Sequence, residues 1–218
     1  LVDARKGAQH PKINICSTLS NMNCEFFEQI IDFLKDYPVN AVYPRIVTEF
    51  SRQNIDASGI NGILPEPYFV TSEDKSHLFS PVQTGHFRDT VHRLKANEDG
   101  KGAYVSFQGV DVAPDTAFTS GEYGFRRCLV CSTLVTINPN GDITSCPFYP
   151  NYILGNLCRQ SRLDEIWGNR QHRQFIKLQR RDKIMICRNC TMPTFYPTFP
   201  ANLRYYFNRA GEKVLNRI

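Results

Sequence analysis

The first half of the chain alternates between short apolar strands and amphipathic helices. Residues 12 to 17 predict one strand and Val39 to Tyr43 another, separated by a helix that Asn23 caps and Pro38 ends. The apolar face of this helix comprises Phe27, Ile30, Ile31 and Leu34. A strand, a helix and a second strand with short connections predict a βαβ unit, whose two strands lie parallel and adjacent.

A second helix and strand repeat this order farther along the chain. The helix is predicted from Gln83 to Ala96 and the strand from Ala103 to Phe107. The core-facing residues of the helix are Phe87, Val91 and Leu94. Before them, the stretch from Ser51 to Pro67 is rich in Gly, Asn and Pro, which predicts a long irregular loop of the kind that lines a site. His86 and His92 do not share a helix face, so we expect surface or core histidines rather than metal ligands.

The pattern becomes antiparallel after about Asp115. Residues Leu134 to Ile137 and Ile143 to Cys146 flank Asn138-Pro139-Asn140-Gly141, a strong signal for a β-hairpin turn. Ser161 to Asp164 then matches a capping box, which predicts a helix. The apolar face of that helix comprises Leu163, Ile166 and Trp167. A basic helical stretch follows, and we place a domain boundary near residue 115.

Composition indicates a globular protein that can bury a proper core. The 218 residues contain no window of about 18 consecutive apolar residues, and no secretory or transit pattern is present. We therefore expect a soluble, cytoplasmic protein with no membrane partner. The chain starts at Leu1 rather than Met, which suggests a piece of a longer protein. Its net charge of +5 is concentrated between Arg159 and Cys190, where a solvated helix surface is favoured over a nucleic-acid site.

Five of the eight cysteines have the spacing of metal ligands. The C-x2-C spacing occurs at Cys128 and Cys131 and again at Cys187 and Cys190, while Cys146 closes the predicted hairpin. Antiparallel pairing returns Cys146 to the neighbourhood of Cys131. Converging thiolates suit an iron-sulfur cluster, although the two C-x2-C pairs alone would also make a four-thiolate zinc site.

This region resembles the SPASM or twitch domain of radical S-adenosylmethionine enzymes. Nine residues separate Cys131 from Gly141 and four separate Gly141 from Cys146, which is the family's spacing, and Cys128 satisfies it as well. Three further stretches are similar to the family's sequence, namely Ile137 to Asp142, Leu154 to Leu157 and Leu163 to Trp167. No cysteine follows Cys190, so the resemblance implies the shortened form with one accessory [4Fe-4S] cluster, and one of the five cysteines is spare or one iron is left open.

The same resemblance implies the architecture of the whole chain. Residues 1–115 would be the C-terminal βα units of a partial (β/α) barrel, and residues 116–218 a small α+β cluster-binding domain with a β-hairpin. Ser17 and Asn23 would lie beside bound S-adenosylmethionine. The C-x3-C-x2-C motif of the family's radical-generating cluster is missing from this sequence, so we expect it upstream and do not expect this chain to be catalytic alone.

In the complete enzyme, reductive cleavage of S-adenosylmethionine would give a deoxyadenosyl radical that abstracts hydrogen from the substrate. An electron donor such as flavodoxin or ferredoxin would be the partner. The substrate class stays open among peptides, proteins, sugars and cofactor precursors. The alternative function is a non-catalytic zinc-binding module that engages nucleic acid or a protein through its basic helix. Among the remaining cysteines, Cys16 and Cys24 are expected to be structural and Cys158 to be a buried thiol.

Overall fold

The fold is described here from a computed structural model that covers residues 12–71, 76–96, 104–124, 127–159 and 162–195. The chain is mixed α/β and divides into two compact units. The first unit is drawn from Leu1–Glu49 and Lys75–Glu122, and the second from Phe50–Asp74 and Tyr123–Ile218. The second unit therefore includes a segment that precedes part of the first. In the described ranges, every helix is too short or too polar to cross a membrane.

The first unit contains a parallel three-stranded sheet. Its strands are β1 (Asn14–Leu19), β2 (Ala41–Ile46) and β3 (Tyr104–Val105), in the order β1-β2-β3. A 3-10 helix (Cys24–Phe26) and α1 (Phe27–Leu34) connect β1 to β2, which confirms the predicted βαβ unit. Of the strand predicted from Ala103 to Phe107, the structure forms Tyr104–Val105 as β3, and Ala103 lies outside the described residues. The partial barrel stays a prediction.

The helices of the first unit bury aromatic side chains against one another. They are α1, α3 (Pro81–Ala96), α4 (Gln108–Asp111) and α5 (Asp115–Thr119). The rings of Phe27 and Phe87 lie 5.6 Å apart, and Phe118 lies 5.8 Å from Phe87. Phe87 and Val91 are buried as predicted.

Asn23 occupies the N-cap position of the 3-10 helix before α1, as predicted, but does not cap it through its side chain. Its amide oxygen accepts from the Ser20 N–H at 2.8 Å, and its amide nitrogen donates to the Thr18 carbonyl at 3.0 Å. Both polar atoms of the Asn23 side chain therefore bond to the backbone before it rather than to the helix after it. An asparagine before a helix gives the same sequence pattern in both cases.

The second unit contains an antiparallel three-stranded sheet surrounded by short helices. Its strands are β4 (Thr136–Ile137), β5 (Asp142–Thr144) and β6 (Ile153–Asn156), in the order β4-β5-β6. Its helices are α2 (Arg52–Asp56), α6 (Val130–Thr133), α7 (Leu163–Ile166), α8 (Arg170–Arg180), a 3-10 helix (Met185–Asn189) and α9 (Met192–Phe195). Its buried core includes Ile143, Tyr149, Phe175 and Ile186.

The long irregular loop predicted from Ser51 to Pro67 is instead an ordered part of the second unit. Ser51 caps α2 by accepting a hydrogen bond from the Asn54 N–H at 3.2 Å. Ile60 and Ile63 pair as an isolated antiparallel bridge. The side chains of Phe50, Ile55 and Ile60 are each 2% exposed within the core. The prediction was wrong because these few apolar residues are spaced among Gly, Asn and Pro, whose abundance dominated the pattern.

The predicted hairpin is confirmed, whereas the helix after it differs in detail. Thr136 pairs with Thr144, and the turn between β4 and β5 places Gly141 at φ +86°. The N-cap residue of α7 is Arg162, which makes no side-chain capping bond, and Ser161 of the predicted capping box lies outside the described residues. Leu163 is 41% exposed rather than core-facing, while Ile166 is fully buried. Cys158 was expected to be buried and is exposed, because it follows the end of β6.

We expect Gly141→Ala to destabilise the second unit more than Gly62→Ala. Both glycines have positive φ, which costs an alanine about 1–2 kcal/mol, but only at Gly141 would the added Cβ also collide with a neighbour. That Cβ would lie 2.7 Å from the Cys158 sulfur, whereas nothing lies within 4 Å of the corresponding position at Gly62. The exposed Cys158 side chain must rotate away from the added Cβ, and the Asn156 side-chain oxygen at 3.3 Å must also move, which together add about 0.5–1.5 kcal/mol. Urea unfolding of both variants measures the difference, and equal losses would contradict the close approach.

Candidate metal centre

The five cysteines singled out by their spacing line one cavity in the second unit. They come from three places along the chain, namely the α6 turn, the end of the β-hairpin and the 3-10 helix before α9. The cysteines are Cys128, Cys131, Cys146, Cys187 and Cys190. The structure thus brings together side chains that lie up to about sixty residues apart in sequence.

The first three cysteines are positioned by a helical turn and the hairpin. Cys128 precedes α6 and Cys131 lies within it, so the short turn places the Cys131 thiol 3.2 Å from the Cys128 carbonyl, to which it donates. Cys146 comes just after β5, whose pairing with β4 returns the chain towards α6. The predicted return of Cys146 to the neighbourhood of Cys131 is therefore confirmed.

The last two cysteines flank a tight turn. Cys187 lies in the 3-10 helix and Cys190 follows its end, where the Cys190 N–H donates to the Cys187 carbonyl at 3.4 Å. The Met192 N–H in turn donates to the Cys190 sulfur at 3.4 Å. A backbone N–H directed at a cysteine sulfur stabilises the negative charge that a thiolate ligand carries.

Burial and mutual proximity shape the electrostatics of the five thiols. Burial raises the pKa of Cys131 to about 12, with Cys128 contributing further, and burial also raises the pKa of Cys190 to about 12. The pKa values of Cys128, Cys146 and Cys187 are raised chiefly by burial as well. Neighbouring cysteines add to the raised pKa of Cys146 and Cys187, so the sulfurs lie close enough to repel one another as anions. A bound cationic centre would offset that repulsion.

The five cysteines give the cavity a donor set of the type that binds an iron-sulfur cluster. Within the part of the chain that the structure describes, no three Cys, His, Asp or Glu side chains are arranged to hold one metal ion. A [4Fe-4S] cluster takes one cysteine thiolate at each iron, so its ligands surround a cavity rather than meet at a point. The other lining residues are mainly apolar and include Val130, Phe148, Phe175, Ile186 and Met192. Such a shell limits solvent access to a bound cluster.

His172 supports the cavity and was not singled out by the sequence patterns. This α8 residue is 2% exposed, and its Nδ1 accepts a hydrogen bond from the Gly168 N–H at 2.8 Å. The ring proton therefore resides on Nε2, which donates to the Cys131 carbonyl at 2.7 Å. Its ring also lies 3.9 Å from that of Trp167. In the sequence, His172 was one residue of a basic helix, with no spacing that links it to a cysteine.

The sequence patterns also did not single out Tyr149, since an aromatic residue near a cysteine is typical of an ordinary hydrophobic core. It is fully buried, and its ring packs edge-on against Phe175 at 5.1 Å. Burial raises the pKa of Tyr149, and the neighbouring Cys187 and Cys146 raise it further. Its N–H donates to the Cys146 carbonyl at 3.0 Å, so Tyr149 fixes the backbone that carries the hairpin cysteine.

The other residues considered in the sequence do not line this cavity. Ser17 lies in β1 and Asn23 in the turn that follows, both in the first unit. Cys16 and Cys158 are exposed and Cys24 is buried. His86 and His92 are exposed on α3.

The sequence of the second unit matches a known family. Residues 128–191 match the family model of SPASM, an iron-sulfur cluster-binding domain. The match begins at Cys128 and ends one residue after Cys190, so it contains all five cysteines of the cavity. No curated protein and no solved structure matches the chain significantly. The chain thus contains an iron-sulfur cluster-binding domain over less than a third of its length.

Proposed function

We propose that this chain is the C-terminal portion of a radical S-adenosylmethionine enzyme and carries one accessory [4Fe-4S] cluster. The observation that supports it most strongly is the convergence of five cysteines on one cavity within the SPASM match. SPASM domains are typically accessory to radical S-adenosylmethionine enzymes. The proposed substrate is a peptide, protein, sugar or cofactor precursor, modified by radical chemistry in the complete enzyme.

The proposed cluster ligands have distinct roles in this chain. Cys146, Cys187 and Cys190 each supply one thiolate, and Cys128 or Cys131 supplies the fourth unless that iron is left open for substrate. A bound accessory cluster can accept an electron, bind substrate at an open iron or support the fold. The apolar lining keeps the site dry, while His172 and Tyr149 hold the backbone of Cys131 and Cys146.

The remaining parts of the enzyme are proposed from the resemblance. The C-x3-C-x2-C motif would lie upstream, Ser17 and Asn23 would contact S-adenosylmethionine, and flavodoxin or ferredoxin would deliver electrons. The first unit supports this architecture to the extent that β1 and β2 are parallel and joined by α1. The barrel portion is proposed within residues 1–115 and the cluster domain within residues 116–218, whereas the compact unit that contains the cysteines also includes residues 50–74 and begins its later part at Tyr123.

Metal analysis separates the cluster from the alternative zinc-binding module. We expect the full chain, purified and reconstituted without oxygen, to contain about four irons and four acid-labile sulfides per chain. About one zinc with no labile sulfide would contradict the cluster and favour the non-catalytic module. The zinc module would engage its partner through basic side chains exposed on α8, which are Arg170, Arg173, Lys177 and Arg180.

The catalytic part of the proposal has its own test. The coding sequence upstream of Leu1 is expected to specify C-x3-C-x2-C, the motif that this chain lacks. An upstream sequence without that motif would overturn the assignment to radical S-adenosylmethionine enzymes, while the accessory cluster would stand.

The iron content of the separate Cys128→Ala and Cys131→Ala variants identifies which of these two cysteines supplies the fourth thiolate.

A further inference from the structure

A segment far from the cysteines in sequence makes hydrogen bonds to the residues beside them. Ser58 is fully buried, and its Oγ accepts from the Ile186 N–H at 2.9 Å. Asn54 donates from its side-chain amide to the Asn189 side-chain oxygen at 2.5 Å. Ile186 immediately precedes Cys187, and Asn189 immediately precedes Cys190. Each cysteine of this pair therefore follows a residue that is hydrogen-bonded to Asn54 or Ser58.

The same segment also reaches the cysteine of the hairpin. The Tyr149 hydroxyl donates to the Ser58 carbonyl at 2.6 Å, and the Tyr149 N–H donates to the Cys146 carbonyl at 3.0 Å. Ser58 Oγ donates in turn to the Asn54 carbonyl at 2.5 Å, which joins the two residues into one network. Three of the cavity's cysteines are thus each connected through one intervening residue to Asn54 or Ser58.

These bonds are of the kind that orient metal ligands. A buried hydrogen bond in a region of low dielectric constant holds its partners in one arrangement more firmly than an exposed one. Groups that orient metal ligands from outside the coordination sphere commonly change metal affinity about 10- to 100-fold when they are removed. The turn at Met185–Asn189 is short, so its own backbone contributes few bonds to hold Cys187 and Cys190 in place.

We propose that Asn54 and Ser58 are positioning residues for the cluster, and that the functional cluster domain includes residues 50–71 as well as the family-matched region. The inference rests on the proposed cluster and adds a requirement that the match to residues 128–191 does not contain. Asn54 and Ser58 hold the loops of Cys146, Cys187 and Cys190 in the arrangement that receives iron. They do not contact the iron themselves.

The test compares iron release from reconstituted full chains. Ser58→Ala is expected to lose iron to a chelator about tenfold or more faster than the unmodified chain, and to alter the electron paramagnetic resonance spectrum of the reduced cluster. The matched control is Ser80→Ala, which removes the bond that the Gln83 N–H donates to the Ser80 hydroxyl at the start of α3, in the first unit. It should lower the urea midpoint while leaving iron release and the spectrum unchanged.

A second pair of variants tests the network at a half-buried position. Asn54→Leu removes the bond to Asn189, whereas Asn54→Gln keeps a side-chain amide that can donate to the Asn189 oxygen. Fast iron release from Asn54→Leu with normal release from Asn54→Gln would support the inference. Normal release from both Ser58→Ala and Asn54→Leu, or equally fast release from Ser80→Ala, would overturn it and leave the cluster proposal standing. An unmodified chain that takes up no iron would overturn both.

Discussion

Replacing Cys146 by alanine is expected to abolish stable assembly of the cluster. Cys146 completes the family's cysteine spacing whether that spacing is counted from Cys128 or from Cys131. Its neighbours in the cavity include Cys187 and Cys190. Loss of one thiolate leaves an iron without its protein ligand and exposes the cluster to solvent. Iron content and the absorbance at about 400 nm, where thiolate-to-iron charge transfer falls, should both decrease to near background.

The matched control for this substitution is Cys158→Ala. Cys158 lies in the same unit but is exposed and does not line the cavity. We expect its replacement to leave iron content and absorbance unchanged. Full iron loading and an unaltered absorbance spectrum in Cys146→Ala would contradict the proposed ligand set and redirect attention to the four remaining cysteines of the cavity.

His172→Phe is expected to destabilise the second unit by roughly 1–3 kcal/mol, the cost of leaving the buried Cys131 carbonyl without its hydrogen-bond donor. The substitution keeps an aromatic ring beside Trp167 but removes both ring nitrogens. The Gly168 N–H would lose its acceptor, and the Cys131 carbonyl would lose its donor. Urea unfolding of the iron-free chain, monitored by tryptophan fluorescence, measures the decrease in the free energy of unfolding.

His92→Phe provides the same chemical change at an exposed position on α3. Its free energy of unfolding should stay within about 0.5 kcal/mol of that of the unmodified chain. If the two variants lost equal stability, His172 would have no special role in holding the Cys131 turn. A lower iron content in His172→Phe alone would connect the lost hydrogen bonds to the cavity.

The sequence predicted the cysteine cavity and the hairpin because both depend on local or repeated patterns. The C-x2-C spacing fits on one turn, and the Asn-Gly turn fixes the pairing of β4 with β5. The parallel β1–α1–β2 unit was predictable for the same reason, since its periodicity changes clearly from strand to helix. The SPASM match agrees with the part of the chain on which the resemblance was based.

The supporting residues could not be predicted because their partners are distant and their own surroundings are uninformative. Ser58 lies 128 residues from Ile186, and His172 lies 41 residues from Cys131. A serine in a Gly-rich stretch and a histidine in a basic helix each have ordinary local explanations. The burial of Ile55 and Ile60 likewise becomes evident only when the C-terminal half is present to cover them.

The assignment of residues 50–74 to the second unit has a consequence for the order in which the protein is made. During synthesis, this segment leaves the ribosome well before the residues that cover Phe50 and Ile55, and the rest of the first unit is made in between. Domains generally fold as their residues become available, so the first unit can complete its fold while the second waits for residues near 190. Until then, these apolar side chains are open to chaperones and to aggregation.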